Sequence, residues 1–366
     1  MADGATSEKQ QGMTAEGWLT DCWYLGAVSN ELKAGSQFRR EIMGQPVVFG
    51  RTHKGDAFAL RDICPHRLVP LSAGRQLDTD GEPTLECPYH GWRFGAADGV
   101  CKHMPSLLED AEMDLSRVKV RHYPTHEKNG LVFVYIAHNA RDTGDPVVLP
   151  PDFGDLPDKP NFVIQEDFNA HMDDAVVGLM DPAHVPFVHN QWWWRPPSTG
   201  FKVKEKNFIP RERGWAIERH QPSSNSKLYR WAFGDKVTTE ICFMIPGFRW
   251  EVVENEKARF FTLTCLTPQQ PKLTRITQIT WWSNLPMLAL FKPVGKHMGR
   301  TFLRQDKRMV DLQNSGMAYQ KAMMWIDDID VQAKWYQILK RSWVQSRTQN
   351  TPFENPIEPR TLRWRS

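Results

Sequence analysis

Two short loops, each with one cysteine and one histidine, constrain this chain more than any other feature of its sequence. The first reads Cys64-Pro65-His66, and the second, after an interval of twenty residues, reads Cys87-Pro88-Tyr89-His90. Two such loops can hold a binuclear iron–sulfur cluster between them. Imidazoles in place of two thiolates on one iron remove negative charge and raise the reduction potential. The sequence therefore predicts a 2Fe–2S cluster with four ligands, which are Cys64, His66, Cys87 and His90.

A zinc site is the alternative for these two loops. Zinc sites usually combine C-x2–4-C with H-x3–5-H, and the two loops have neither spacing. A cluster would colour the protein red-brown, whereas zinc would leave it colourless. We interpret the remaining cysteines as core thiols because none has a partner loop at ligand spacing. They are Cys22, Cys101, Cys242 and Cys265.

A pair of histidines further along the chain forms a second candidate metal site. His184 and His189 are separated by four residues in the run Asp181-Pro182-Ala183-His184-Val185-Pro186-Phe187-Val188-His189. They can converge on one metal, although Pro186 predicts a helix end or kink between them. With one carboxylate they would form the facial triad of two histidines and one carboxylate that holds Fe(II) and leaves positions open for O2.

Two downstream aspartates are candidates for the third ligand of this triad. Asp306 lies on a predicted helix, in the run Gln305-Asp306-Lys307-Arg308. Asp328 lies in Asp327-Asp328-Ile329-Asp330. Spacing alone does not choose between them, because a fold can bring either aspartate to the histidines.

The order of predicted elements divides the chain into two domains of an α+β protein. We expect a disordered N-terminus at 1–16, a small all-β domain at 17–140, a proline-rich linker at 141–160, a larger domain at 161–345 and a C-terminal tail at 346–366. The larger domain is predicted to pack helices on an antiparallel sheet. Its predicted helices cover 173–188, 298–314 and 318–342. Its predicted strands cover 201–206, 215–220, 236–245, 249–254, 259–266 and 275–282.

Composition excludes several classes of protein. A net charge of +3 is too small to predict nucleic-acid binding. No apolar run approaches the roughly 18 residues that span a bilayer, so we expect no membrane segment. The polar N-terminus lacks the apolar core of a signal peptide, which predicts a cytoplasmic protein. Six cysteines in 366 residues do not make a disulfide framework.

Both metal constellations together resemble the α subunit of the Rieske non-haem iron oxygenases, which include ring-hydroxylating oxygenases and O- or N-demethylases. The resemblance runs from Trp23 to Gln313. It implies a helix-grip fold for the larger domain. In that family the third iron ligand belongs to a motif with an acidic or amide residue, Asp, Lys and a Gln seven residues after the Asp. Asp306 matches this motif with Lys307 and Gln313, and Asp328 does not.

The resemblance also implies a role for Asp181, which lies three residues before the first iron-ligand histidine. In that family the corresponding aspartate bridges the mononuclear iron site to the second cluster histidine, here His90, of a neighbouring subunit in a homotrimer. An N-cap of a helix is the alternative interpretation of Asp181. Many members of the family have Asn three residues before this aspartate, where this chain has Gly178.

An oxygenase component is the function that the resemblance implies. It would use O2 and electrons from a NAD(P)H-dependent reductase, directly or through a ferredoxin, because this chain has no G-x-G-x-x-G fingerprint of its own. We expect monooxygenation of an aromatic or other apolar small molecule, by hydroxylation or by N- or O-dealkylation. Trp192, Trp193 and Trp194 could form part of the pocket wall or could pack a domain interface. Arg195 could meet a substrate carboxylate or could be a surface residue. Aromatic-ring cis-dihydroxylation is one alternative. A Rieske electron carrier fused to a small-molecule-binding module is another, and it would not need the triad.

Overall fold

The structure, a computed structural model, describes residues 11–108, 110–139, 145–189, 202–221, 236–285, 288, 290–320 and 322–366. They form two compact units. The small unit comprises Asp21–Pro160 and Thr267–Pro271. The large unit comprises the described parts of Met1–Thr20, Asn161–Leu266 and Lys272–Ser366. Among these residues, no helix is long and apolar enough to cross a membrane.

Three antiparallel sheets make up the small unit. Their orders are β1-β10-β9, β2-β3-β4 and β5-β6-β7-β8. The strands are β1 Cys22–Val28, β2 Gln37–Ile42, β3 Gln45–Arg51, β4 Ala57–Arg61, β5 Arg75–Thr79, β6 Glu82–Glu86, β7 Arg93–Gly95, β8 Cys101–His103, β9 Thr125–Lys128 and β10 Leu131–Ile136. One buried cluster includes Cys64 and Cys87 among apolar side chains such as Leu60, Leu85 and Phe94. The two cysteine–histidine loops are therefore anchored in a core.

An eight-stranded antiparallel sheet forms the centre of the large unit, in the order β11-β17-β16-β15-β14-β13-β12-β18. Its strands are β11 Phe162–Phe168, β12 Val203–Arg211, β13 Gly214–His220, β14 Thr238–Met244, β15 Phe248–Glu254, β16 Arg259–Gln270, β17 Leu273–Ser283 and β18 Arg360–Arg365. The helices are α1 Met172–Met180, α2 Val185–Val188, α3 Lys292–Met317 and α4 Val331–Gln349. The predicted α+β class, a small all-β domain followed by an antiparallel sheet with helices, is confirmed.

Helix α4 covers one face of this sheet, which we call the inner face. Trp215 of β13 and Phe243 of β14 lie on it as paired neighbours. Trp215 donates from Nε1 to Oε1 of Gln332 on α4 at 3.2 Å. The Phe243 ring meets the Tyr336 ring of α4 edge-on, with centroids 5.8 Å apart. Because side chains alternate along a strand, these contacts fix which residues of β14 and β15 face the helices.

Helix boundaries and the C-terminal residues differ from the sequence-based expectation. The predicted helix 173–188 is interrupted at Asp181, and the predicted helix 318–342 is replaced by α4, which begins only at Val331. Residues 346–366 do not form a separate tail. They complete α4 and then form β18, which pairs along β12 and buries Leu362 and Trp364. Residues 11–16, expected to be disordered, include Gly12, whose carbonyl accepts from Thr20 N at 2.9 Å.

Candidate metal centres

The two cysteine–histidine loops of the small unit have matching backbones. In the first, Leu68 N donates to Cys64 O at 2.9 Å, and in the second, Gly91 N donates to Cys87 O at 3.1 Å. Leu68 and Gly91, the fifth residue of each loop, both have left-handed backbones, with φ of 61° and 70°. Glycine adopts this conformation without penalty, whereas leucine rarely does. Each loop therefore turns back on its own cysteine.

Burial dominates the chemistry of the two cysteines. Cys64 is 1% exposed and Cys87 2% exposed. The pKa of the Cys64 thiol is raised to about 11, mainly by burial and also by the neighbouring Cys87, while backbone N–H groups of His66 and Arg67 oppose the rise. Two thiolates this deep need a bound cation, because a metal deprotonates a coordinating thiol and stabilises its charge.

The two loop histidines lie side by side. The rings of His66 and His90 have centroids 4.6 Å apart, and Trp92 stacks on His66 with an interplanar angle of 3°. Nδ1 of His66 is buried without a hydrogen-bond partner. An orphaned ring nitrogen is costly unless it binds something that the protein itself does not supply. Buried thiols and an orphaned imidazole nitrogen are the donors that a Rieske cluster requires, so these residues fit one.

In the large unit, a break between two helices positions His184 and His189. Helix α1 ends at Met180 because Pro182 cannot extend it and Asp181, as the residue before a proline, has an extended backbone with φ −65° and ψ 118°. The chain then forms the single helical turn of α2, with the two histidines at its ends. Their ring centroids are 5.3 Å apart. Pro186, which predicted a break, lies in the first turn of α2, where proline is tolerated.

Asp306 of α3 completes the group. Its Oδ1 lies 3.5 Å from Nε2 of His184 and 3.3 Å from Nε2 of His189. The ligand atoms of the three side chains all lie within 4.8 Å of one another. Asp328 lies elsewhere, where it accepts from Arg360 at 3.1 Å and from the backbone of Arg363 at 3.3 Å. The fold therefore brings Asp306, and not Asp328, to the two histidines.

The electrostatic environment of this trio also suits a metal. Nε2 of His189 is buried with no hydrogen-bond partner. Burial lowers the pKa of His189 to about 4 and raises the pKa of Asp306 to about 7, although Arg249 opposes the rise. A divalent cation favours neutral imidazoles and an ionised carboxylate. The trio, with its orphaned nitrogen, fits the facial triad that holds Fe(II).

Two further residues orient His189, and the sequence alone did not identify them. Nδ1 of His189 bonds Oε1 of Gln305 at 3.1 Å, and Phe302 stacks on the ring at a centroid distance of 3.3 Å. Phe302 and Asp306 are four residues apart on α3, a spacing that puts both on one helix face and could have revealed Phe302. In contrast, the motif residues Lys307 and Gln313 lie away from the trio: Lys307 bonds Asp167 O, and Gln313 faces the sulfurs of Met317 and Met323.

Asp181 contacts His184 mainly through its backbone. Its carbonyl oxygen lies 2.8 Å from Nδ1 of His184, whereas its carboxylate Oδ2 is 3.8 Å away. The carboxylate Oδ1 accepts from Ala183 N at 2.7 Å. Asp181 thus stabilises the turn between α1 and α2 and keeps one oxygen close to His184.

Gly178 lies one turn earlier on α1. The four residues 192–195, expected near a pocket, lie outside the described residues.

Comparisons with known proteins agree with this arrangement. Residues 22–124 match the model of the Rieske [2Fe-2S] domain. The chain is 34% identical over 183 residues to pheophorbide a oxygenase, chloroplastic, of Arabidopsis thaliana, covering 47% of this chain and 32% of that protein. It is 30% identical over 177 residues to the toluene-4-sulfonate monooxygenase system iron-sulfur subunit TsaM1 of Comamonas testosteroni, covering 47% of each. The chain thus spans about a third of the first relative's length and about half of the second's.

A solved structure extends the similarity over both units. Dicamba monooxygenase with non-haem iron and dicamba superposes with a TM-score of 0.65 and 20% identity, over 90% of this chain and 98% of that one. Its identity is low, so the match establishes the fold alone. The [2Fe–2S] cofactor expected for the small unit is confirmed, while the assignment of its four ligands stays a prediction. The chain therefore contains a Rieske [2Fe–2S] domain within the fold of dicamba monooxygenase, which confirms the resemblance to the Rieske non-haem iron oxygenases.

Proposed function

We propose that this protein is the oxygenase component of a Rieske non-haem iron system. The observation that carries the proposal is the trio of His184, His189 and Asp306, with the buried Nε2 of His189 facing a carboxylate oxygen at 3.3 Å. An electron carrier fused to a binding module would have no need of this arrangement. When bound, the cluster supplies electrons singly, and Fe(II) in the triad activates O2.

The surrounding residues have distinct tasks in this proposal. Gln305 and the carbonyl of Asp181 hold the Nδ1 atoms of the two histidines, which leaves each Nε2 directed at the iron position. Phe302 covers His189 and keeps water from that side of the site. The side chains of His184 and Asp306 remain 19% and 20% exposed. Substrate and O2 would therefore approach on the side of these two residues.

Electron donors and subunit arrangement belong to the same proposal. His90 is exposed at the tip of its loop, and Tyr89 beside it is 61% exposed. This tip would receive electrons from a ferredoxin or a NAD(P)H-dependent reductase. We further propose a homotrimer in which His90 of one chain reaches Asp181 of the next, because a head-to-tail interface that closes at three forms a ring. The expected cytoplasmic location also stays a prediction.

Monooxygenation of a small aromatic molecule is the reaction that we favour. Dicamba monooxygenase and the toluene-4-sulfonate monooxygenase subunit are named for such reactions on aromatic compounds. Cis-dihydroxylation stays the alternative, since the curated relatives also include the oxygenase subunit of 3-chlorobenzoate-3,4-dioxygenase of Comamonas testosteroni. Product analysis under ¹⁸O2 distinguishes them. One labelled oxygen supports monooxygenation, and two on one ring product contradict it.

Substitution of the two candidate aspartates tests the proposed function. Asp306→Ala is expected to remove the mononuclear iron and substrate-dependent O2 consumption while leaving the visible spectrum of the cluster unchanged. Asp328→Ala is the matched control and should keep both. Iron content, spectrum and O2 consumption with a surrogate reductase are measured on each purified variant. Retention of the mononuclear iron by Asp306→Ala would contradict the assignment of the triad.

A further inference from the structure

A small group of partly accessible side chains interrupts the buried inner face of the large sheet. Ile241, Arg249, Glu251 and Thr262 are only partly buried. Strand pairing joins Ile241 to Glu251, and Glu251 to Thr262. Arg249 lies two residues before Glu251 on β15 and pairs with Phe243, so all four face the helices.

Buried residues flank this group on β14, on β15 and on one side of β16, where Phe260 on the other side of Thr262 is itself partly buried. Thr239 and Phe243 enclose it on β14, Val253 ends it on β15 and Thr264 ends it on β16, and these four are at most 4% exposed. Accessible surface that is surrounded by buried neighbours, on a face covered by helices, is the signature of a cavity wall. We call Ile241, Arg249, Glu251 and Thr262 the cavity floor.

The cavity floor lies near the iron triad. Arg249 lowers the pKa of Asp306 and of His184 through its charge, which requires the guanidinium to be near both groups. It lowers the pKa of Glu251 in the same way, although burial raises that pKa more strongly. The charge of Arg249 thus acts on the triad as well as on Glu251, so a molecule bound beside the iron would lie within its field.

Arg249 has no anionic partner of its own. Among the described residues, no carboxylate lies within 4.0 Å of its guanidinium and no hydrogen bond engages it. Glu251 is the nearest acidic neighbour on the strand, but it accepts from Thr239 Oγ1 at 3.3 Å. A largely enclosed guanidinium without a carboxylate is costly, because its five donors lose water without gaining acceptors.

We propose that Arg249 binds an anionic group, a carboxylate or a sulfonate, of the substrate. This inference rests on the proposed oxygenase function and names the substrate class of the same site. Arginine matches such groups because its planar donors form two parallel hydrogen bonds with two oxygens. A divalent metal held by one carboxylate keeps a net positive charge, which adds to that of Arg249. The apolar Ile241 and the aromatic Phe243 leave the remainder of the cavity suited to an aromatic ring.

Matched charged and neutral ligands test this inference without turnover. Benzoate and benzamide have nearly the same shape and differ in charge, and their binding to iron-loaded protein is measured by calorimetry. Benzoate is expected to bind the wild-type protein more tightly than benzamide does. Arg249→Gln should weaken benzoate binding about 10- to 100-fold, which corresponds to a hydrogen-bonded charge pair, and leave benzamide binding within about twofold. Arg249→Lys should retain part of the preference.

Two further variants complete the experiment. Arg259→Gln is the matched control, because Arg259 pairs with Glu254 at 3.4 Å and is not part of the cavity floor. It should change neither affinity. Glu251→Gln should tighten benzoate binding, since it removes a neighbouring negative charge, and this result does not depend on the folding of Arg249→Gln. Equal binding of both ligands, no binding of benzoate at millimolar concentration, or unchanged benzoate binding after Arg249→Gln would each overturn the inference.

The outcome is separable from that of the proposed function. Iron content and the cluster spectrum are measured on every variant before binding. If the oxygenase assignment were wrong, the wild-type protein would fail to retain mononuclear iron or to consume O2 with any compound. If only the anion site were wrong, iron would be retained and benzamide would bind as well as benzoate.

Discussion

Replacement of Gln305 isolates the contribution of one hydrogen bond to metal binding. Its Oε1 accepts from Nδ1 of His189 at 3.1 Å, which fixes the tautomer that leaves Nε2 for the metal. Gln305→Leu keeps the size of the side chain and removes the acceptor. Because His189 is fully buried, no water replaces that acceptor. Loss of such a partner lowers metal affinity about 10- to 100-fold, equivalent to about 1.4 to 2.7 kcal/mol.

The assay is competition for the metal. The mononuclear site is emptied with a chelator, and Fe(II) is titrated back anaerobically against a competing chelator of known affinity. Gln313→Leu is the control, since it is the same substitution on the same helix but its amide faces Met317 and Met323. Gln305→Glu should recover most of the affinity, because a carboxylate also accepts from Nδ1. If Gln305→Leu binds Fe(II) as tightly as Gln313→Leu does, Gln305 does not orient His189.

Two stability predictions concern ion pairs away from the metal centres. Lys340 is 6% exposed and donates to both oxygens of Asp173 at 2.7 and 2.6 Å, so Lys340→Met should lower the free energy of unfolding by about 2 to 3 kcal/mol, somewhat below the value for a fully buried pair. Lys334→Met, at an exposed pair with Asp327, should change it by less than about 1 kcal/mol in the same urea titration. Equal effects would contradict the role of burial. In the small unit, the two hydrogen bonds from Arg51 lower the pKa of Glu127. Because the folded pKa is depressed, the stabilisation exists above the unfolded pKa and is lost as the pH falls through the folded value. The stability difference between wild type and Glu127→Gln should therefore shrink below about pH 4.5, and a constant difference would refute the argument.

Local patterns predicted six of the eight strands of the large sheet and missed β11 and β18. Alternating apolar residues placed β13, β15 and β17 within two residues of their observed bounds. The same pattern in Arg360–Arg365, where Leu362 and Trp364 are buried, could have revealed β18, but the prolines before it suggested a tail. In the small unit, Asp80 and Gly81 form a tight hairpin turn between β5 and β6, and both have positive φ, at 53° and 85°.

Long-range contacts account for what the sequence could not predict. Residues 318–330 contain good helix formers, yet Asp328 has a left-handed backbone with φ 63° and bonds Arg360 of the distant C-terminal segment. For the same reason, the family motif was needed to choose between Asp306 and Asp328. Both aspartates lie within predicted helices, and the sequence alone does not show which helix faces the histidines. Gln305 and Arg249 were not identified, because only the fold shows that one faces His189 and the other faces the cavity.

The unequal burial of the triad determines how a metal ion can exchange. His189 is fully buried and stacked on Phe302, whereas the side chains of His184 and Asp306 keep about a fifth of their surface, 19% and 20%. An incoming ion must therefore exchange its first water ligands for His184 and Asp306, and it binds His189 last. Departure reverses this order, so that a chelator competes for an ion already released by His189 but still held by His184 and Asp306. The rate of metal loss should then follow the opening of α2, the single turn joining the two histidines, more closely than the strength of the chelator.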